Sequence, residues 1–298
     1  MLAPLKHNGS MNRLTSDQRE KVISCLIEGC SIRSTVRMTG VAKKTVMRLL
    51  VEVGEFCADY QDRVFRNLNC QRLQVDEMWS FCYCKQNNLT PEILKSRIAG
   101  DAWLWSAIDA ETKLVPCWYV GQRDAVAATE FIKDVESRLA HRVQLTSDGL
   151  KLYLNAVIDA FADDIDYAQL VKYYGTEPGQ EKRADKRYSP AECTGAERII
   201  RLGDPDPKHI STSYIERHNL SVRMTVRRFT RLTNAFSKKI ENHCAAVALG
   251  YFAYNFIKIH RTLRMTPAMA AGITSMLWGV SDLVAAWTAW ERRQERAA

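Results

Sequence analysis

Leu73-Gln74-Val75-Asp76-Glu77-Met78-Trp79-Ser80-Phe81-Cys82-Tyr83-Cys84 is the stretch whose reading decides the fold. It alternates: Leu73, Val75, Trp79, Phe81 and Tyr83 fall on one face of a strand, and Asp76 falls on the other. Two more strand-like runs follow, Asp101 to Asp109 and Lys113 to Val120, joined by Ala110-Glu111-Thr112 in what reads as a hairpin. Asp124 to Leu139 then has helical spacing through Val126, Phe131, Val135 and Leu139. Arg142 to Thr146 is a short strand that runs out at Ser147-Asp148-Gly149. Leu150 to Phe161 reads as a helix and Tyr167 to Tyr173 as a fifth strand.

Three strands, a helix, a strand, a helix and a strand is the order of a ribonuclease H-like domain, an α/β class with a mixed sheet flanked by helices. This core is expected over residues 69–265, with an insertion near 175–209 and a helical tail over 266–298. Gly175 to His209 holds four of the chain's eight prolines and four glycines, with charge clusters such as Glu181-Lys182-Arg183, and reads as a long loop.

Upstream, the pattern is all-helical. Thr15 or Ser16 can cap a helix whose apolar face is Val22, Ile23, Leu26 and Ile27, and Gly29 ends it. Ser31 opens a second short helix with Ile32, Val36 and Met38. Thr39-Gly40-Val41 makes a tight turn, and Ala42 to about Val53 forms a third helix with a buried stripe of Val46, Leu49, Leu50 and Val53. Lys43, Lys44, Thr45 and Arg48 lie outside that stripe. This is a helix-turn-helix pattern, whose last helix offers cations and small hydroxyls to phosphates and base edges. A plain three-helix bundle with a solvated basic face has the same pattern. The boundary to the core is expected near residue 68.

The 298 residues are 46% hydrophobic, enough for a sizeable core, and carry a formal net charge of +8, which favours a polyanionic partner. The nine cysteines show no Cys-x-x-Cys and no zinc-finger spacing, so they read as reduced thiols of a cytoplasmic protein. The longest apolar run, Cys244 to Ile257, spans 14 residues and contains Asn255, too short for a bilayer. Neither a signal segment nor a membrane span is expected.

Three carboxylates occupy positions that suit a hard divalent cation. Asp76 is mid-strand, Asp148 is at a strand end before Gly149, and Glu216 begins a helical stretch. Magnesium is held by a few carboxylates together with phosphate and water, and two strands and a helix can supply such a cage. Singly, each has a plainer reading: an Asp-Gly at a strand end is a turn, and a Glu near a helix start offsets the dipole. The context of Glu216 is less ordinary. Arg223 lies two helical turns on, and from Arg217 to Lys239 there are seven cations, Arg227 and Arg228 among them, and no acid. A phosphodiester backbone with metal ions satisfies both the acid and the cations.

At Asp76-Glu77-Met78-Trp79, Thr146-Ser147-Asp148-Gly149 with Leu152-Tyr153, and Ile215-Glu216-Arg217-His218-Asn219-Leu220 with Arg223, the chain resembles the DDE transposases founded by bacterial insertion sequence one. The likeness runs from about Asp76 to His260. It implies a catalytic core that holds Mg²⁺, with Mn²⁺ the alternative, on Asp76, Asp148 and Glu216. It implies that Arg223 contacts DNA phosphate, with Asn219 and His218 as helpers. It further implies metal-dependent cleavage at element ends, strand transfer into target DNA, a homo-oligomer on double-stranded DNA, and residence in the bacterial nucleoid. The chain departs from founder-like members in lacking their N-terminal cysteine-rich zinc module and in the 175–209 insertion. The competing expectation is a non-catalytic helix-turn-helix regulator derived from a transposase.

Overall fold

The computed structural model describes residues 14–96, 98–175, 192–231 and 233–297. Thr15 caps α1 (Ser16–Ile27) through a capping box with Gln18, and Ser31 caps α2 (Ile32–Thr39). Gly40, at φ +70°, ends α2 in the left-handed conformation that glycine alone adopts without cost. Met38, expected in the apolar face of α2, is exposed. The third helix is longer than its pattern implied: α3 (Lys43–Val64) runs unbroken through Gly54. A Cβ on Gly54 would lie 2.5 Å from Cβ of Ala245 in α8 (Ile240–Phe252), so this glycine permits close helix packing and breaks nothing.

Among the described residues the sheet has six strands: β1 (Arg72–Cys82), β2 (Gly100–Asp109), β3 (Trp118–Gly121), β4 (Gln144–Asp148), β5 (Asp166–Gly175) and β6 (Glu192–Leu202). Their order is β3-β2-β1-β4-β5-β6. β1 pairs with β2, and β2 with β3, antiparallel; β4 joins β1 and β5 in parallel; β6 closes the far side antiparallel to β5. The mixed sheet and its element order are those anticipated. The sixth strand was not: the stretch read as one long loop spends Glu192–Leu202 paired along β5. Its alternation is masked because charged and small residues line an edge strand exposed to solvent. The Glu181-Lys182-Arg183 cluster lies outside the described residues.

The short α4 (Pro91–Ser96) lies between β1 and β2 in the chain, and longer helices cover both faces of the sheet. On one, Leu73, Val75 and Trp105 pack with α5 (Ala125–Ser137) and α6 (Leu152–Phe161); the Trp105 ring lies 6.1 Å from Phe131 and 5.5 Å from Tyr153. Asp124 caps α5, whose buried stripe is Ala127, Ala128, Phe131, Ile132 and Val135, leaving Val126 70% exposed outside it. On the other face Met78, Leu104 and Ile108 meet Ile215 and Val222 of α7 (Ser213–Thr225) and Val247 and Tyr251 of α8. Because both faces are covered, over different lengths, β1 does not keep one dry side. Met78, Ser80 and Cys82 are buried, whereas Trp79 is 37% exposed. The run of cations after Glu216 is not one helix either: α7 stops at Thr225, and Arg227–Phe229 form a separate 3-10 turn.

Asn255 explains the polar break in the longest apolar run. Its amide donates to the Val115 carbonyl at 3.0 Å and to Gln61 at 3.2 Å, and accepts from Val115 N at 3.1 Å. After the short α9 (Pro267–Ala270), the C-terminal helix α10 (Val280–Ala297) returns to the N-terminal ones. Arg19 of α1 pairs with Glu291 at 2.8 Å and lies 4.2 Å over the Trp287 ring. One buried core therefore passes from Val22 and Phe56 through Leu73 to Phe252 and Trp287, across residue 68. Among the described residues no helix is long and apolar enough to cross a membrane.

Candidate active site

β1 and β4 hold register over Arg72–Gln144, Leu73–Leu145 and Gln74–Thr146, and then part. Two residues beyond the last pair lie Asp76 and Asp148, at the same level and on the same face. The carboxyl ends of parallel strands, where neighbours diverge, are where open α/β sheets place ligands. β1 and β4 thus set two acids at the mouth of a crevice. Asp148 is fixed by its own turn: Oδ1 accepts from Leu150 N at 2.9 Å, while Gln169 of β5 donates to the carbonyls of Asp148 and Leu150. Gly149 does not need a left-handed φ. Its bare α-carbon lets Val171 approach, since a Cβ would lie 3.1 Å from Val171 Cγ2.

A third carboxylate joins them, and it is Glu77. Carboxylate oxygens of Asp76, Glu77 and Asp148 all lie within 4.8 Å of one another. Glu77 is steadied by two bonds from Arg123, at 2.9 and 2.7 Å, and by the Tyr153 hydroxyl at 3.1 Å. Its side chain is 3% exposed. Alternation assigns Glu77 to the face away from Asp76, so only its place next to Asp76 marks it out. Beyond Gln74–Thr146 there is no backbone pairing between β1 and β4 to separate the two sides.

Glu216 stands beside this group and not in it. Its Oε1 accepts from the Thr212 hydroxyl at 2.6 Å and is ion-paired with Lys172 of β5. Its charge still reaches Asp76. Burial, then the carboxylates of Glu77 and Asp148, and more weakly Glu216, push Asp76 up to about 7. Burial and Asp148 likewise raise Glu77, against the opposing Arg123. Crowded acids that resist ionisation are a donor set that a divalent cation would relieve.

α7 is seated over the crevice from two points on β1. Gln74 Oε1 accepts from the backbone of Tyr214 at 2.9 Å and Ile215 at 3.1 Å, capping a helix whose own Thr212 makes no side-chain cap. One turn later Asn219 Nδ2 donates to Asp76 Oδ2 at 2.7 Å, while its buried Oδ1 has no partner among the described residues. Gln74 and Asp76 are two apart on a strand, Ile215 and Asn219 four apart on a helix, so both pairs share a face. Arg223, half-buried further along, is lowered by burial and by Arg231, against the pull of Asp76.

The other expected residues divide. Arg217 is exposed, and Arg227 and Arg228 are half-buried. His218 turns away from the acids. Burial lowers it to about 3, its ring stacks on Tyr251 at 5.4 Å, and among the described residues neither nitrogen has a partner. Lys43, Lys44 and Arg48 are exposed on the first turns of α3, with Thr45 half-buried and Arg48 3.5 Å from Glu52. Besides Glu77, sequence reading missed Arg123 and Lys172, whose only mark is a place just past β3 and within β5.

No protein-family model and no curated protein matches the chain. Among solved structures, it is similar to the piggyBac transposase synaptic complex with hairpin DNA, at 8% identity over 97% of this chain and 76% of that one, with a TM-score of 0.40. It is also similar to the Mos1 strand transfer complex, at 10% identity over 83% and 79% with a TM-score of 0.23. For a pre-cleavage Mos1 transpososome the figures are 11% identity, 84% and 80%, and a TM-score of 0.25. Likeness at this level leaves the function to be read from the site itself.

Proposed function

We propose that the chain is a DNA transposase, built on a ribonuclease H-like core, that cleaves element ends and transfers strands through divalent-metal chemistry. The observation that carries this reading is the meeting of Asp76, Glu77 and Asp148 where β1 and β4 part, under a helix that brings Glu216, Asn219 and Arg223 to the same crevice. Asp76 and Asp148 would hold the metal with Glu216, and Glu77 is the added neighbour. When bound, Mg²⁺ or Mn²⁺ supplies Lewis-acid charge for water activation and for the leaving oxygen. Asn219 fixes the Asp76 carboxylate. Arg223 offers a half-buried guanidinium to a phosphate, which it matches bidentately. Lys172 neutralises Glu216 until DNA or metal takes its place.

In this reading α1–α3 form a helix-turn-helix reader within residues 1–68. Lys43, Lys44, Thr45 and Arg48 face double-stranded terminal-repeat DNA, Arg217, Arg227 and Arg228 contact its backbone, and the protein works as a homo-oligomer. The core spans 69–265, and 266–298 form the tail. The insertion-sequence-one family and a nucleoid location belong to the same proposal.

One observation favours a second reading. Glu216 is occupied by Lys172 and Thr212 and is not among the three clustered acids. A regulator that binds ends without cutting would leave it so. Cleavage of a labelled duplex carrying the terminal repeat, with Mg²⁺, with EDTA, and with Glu216→Gln, separates the two. Metal-dependent cutting lost in the variant while binding persists supports the transposase. Binding without cutting in Mg²⁺ supports the regulator.

A further inference from the structure

A sizeable cavity lies on the side of α7 away from the acids. It holds about 630 Å³ between α1 and α2, α7, α8 and the 258–262 segment, within the range of small-molecule sites, roughly 300–1,000 Å³. Its floor is apolar, including Leu26, Ile27, Leu249 and Val222. Among the described residues, six lysines and arginines line it, Lys113, Arg217, Arg227, Arg228, Lys258 and Arg261, and no Asp or Glu does. Lys258 is already engaged by Glu28.

Two of its lining groups hold buried, unsatisfied nitrogens. Among the described residues, neither ring nitrogen of His218 nor Nε of Arg227 has a partner. Buried polar atoms are rarely left so, and each orphan needs an explanation. The walls are also aromatic: Tyr251 stacks on His218, and Tyr254 meets it edge-on at 4.5 Å.

We infer that this cavity binds a heteroaromatic ring carrying a phosphate, the chemistry of a nucleotide. An imidazole offers one donor and one acceptor on opposite sides of its ring, so one of its nitrogens can meet a single donor or acceptor on the edge of a base. Guanidinium groups match phosphate oxygens. Apolar and aromatic walls accept the ring faces, as they do where bases leave a stack. A fatty acid would satisfy the cations and leave His218 unpaired; a bare phosphate would leave the apolar floor empty. The nucleotide can come from solution or from a bound DNA strand. The second source rests on the proposed DNA function, since His218 and Asn219 are neighbours on α7 and address the cavity and Asp76 respectively.

The test is calorimetric titration of the full-length protein with deoxythymidine monophosphate, with thymidine and inorganic phosphate as controls. The nucleotide is expected to bind more tightly than either part. His218→Phe keeps the ring and its stacking but removes the nitrogens, and Ser221→Glu brings a negative charge to the lining. Each is expected to weaken binding about tenfold, with the circular dichroism and melting of the wild type retained. Nucleotide binding no tighter than phosphate, or unaltered by both folded variants, would overturn the inference. A single-stranded oligonucleotide carrying 2-aminopurine identifies the source. A fluorescence rise on binding that the monophosphate reverses assigns the site to a displaced base. Monophosphate binding without that rise assigns it to the free nucleotide. Repeat cleavage with no nucleotide binding sinks this inference alone, and nucleotide binding with no cleavage sinks the proposed function alone.

Discussion

Replacing Asp76 with asparagine removes a carboxylate from the crowded mouth of β1 and keeps an amide oxygen to accept from Asn219. The folded protein holds the Asp76 proton more tightly than the unfolded chain does, about 7 against 3.8. Stability from neutral Asp76 is therefore complete below 3.8 and is lost as pH rises through about 7. The interval corresponds to about 4 kcal/mol. Asp76 retains some solvent access, which screens the term, so about half, roughly 2 kcal/mol, is expected to be measurable. Without metal, at about pH 8, Asp76→Asn should thus melt roughly 4–8 °C above the wild type. At about pH 4, where the wild type is largely protonated, the gap should close. Mg²⁺ at about a hundred times its Kd should raise the wild type by about 2.7 kcal/mol and the variant by much less. Scanning calorimetry in EDTA and in Mg²⁺, at both pH values, reads all of these. A variant that melts lower than the wild type at about pH 8, with the same response to Mg²⁺, would refute the idea that the acids are crowded for a cation.

Other outcomes follow from single contacts. Glu216→Gln should lower metal-dependent cleavage by about a hundredfold or more with little loss of duplex affinity, as read on labelled terminal-repeat DNA. Lys172→Met should free Glu216 and tighten Mn²⁺ binding in an electron paramagnetic resonance titration; unchanged affinity would place Glu216 outside the metal site. Gly54→Ala, which in an open helix stabilises by about 1 kcal/mol, should here destabilise by about 1–3 kcal/mol in urea unfolding, because the new methyl meets Ala245. Paired Lys43→Ala and Lys44→Ala should reduce the slope of log affinity against log salt by up to about 1.8, with fluorescence anisotropy as the measurement.

Much of the sheet was legible because each strand keeps a short, bounded period. Asp101 to Asp109 and Tyr167 to Tyr173 fall almost where β2 and β5 do. β6 was not legible, since an edge strand rich in charge carries no inward apolar pattern and depends on its partner. α3 was cut short because a lone glycine in a helix signals a break until a partner helix is known to press on it. At the candidate site, Asp76 and Asp148 could be placed from strand ends alone. Glu77 could not, because its meeting with Asp148 depends on two strands parting, a property of the pair. Glu216 could be set at a helix start, yet its ion pair with Lys172 joins elements 44 residues apart.

α3 is a single helix of 22 residues, roughly 33 Å long, with Lys43, Lys44 and Arg48 near its start and its glycine wedged against α8 at mid-length. On the proposed reading this makes it a ruler. A reader tethered by a slack linker would tolerate many spacings between the sequence recognised and the bond cut. A rod bolted to the catalytic body fixes that spacing and its rotational phase. One residue added between Leu50 and Gly54 would turn the reading end by about 100° against the acids and advance it by about 1.5 Å. Element ends cut by such an enzyme should keep a constant number of base pairs between the recognised motif and the cleavage point.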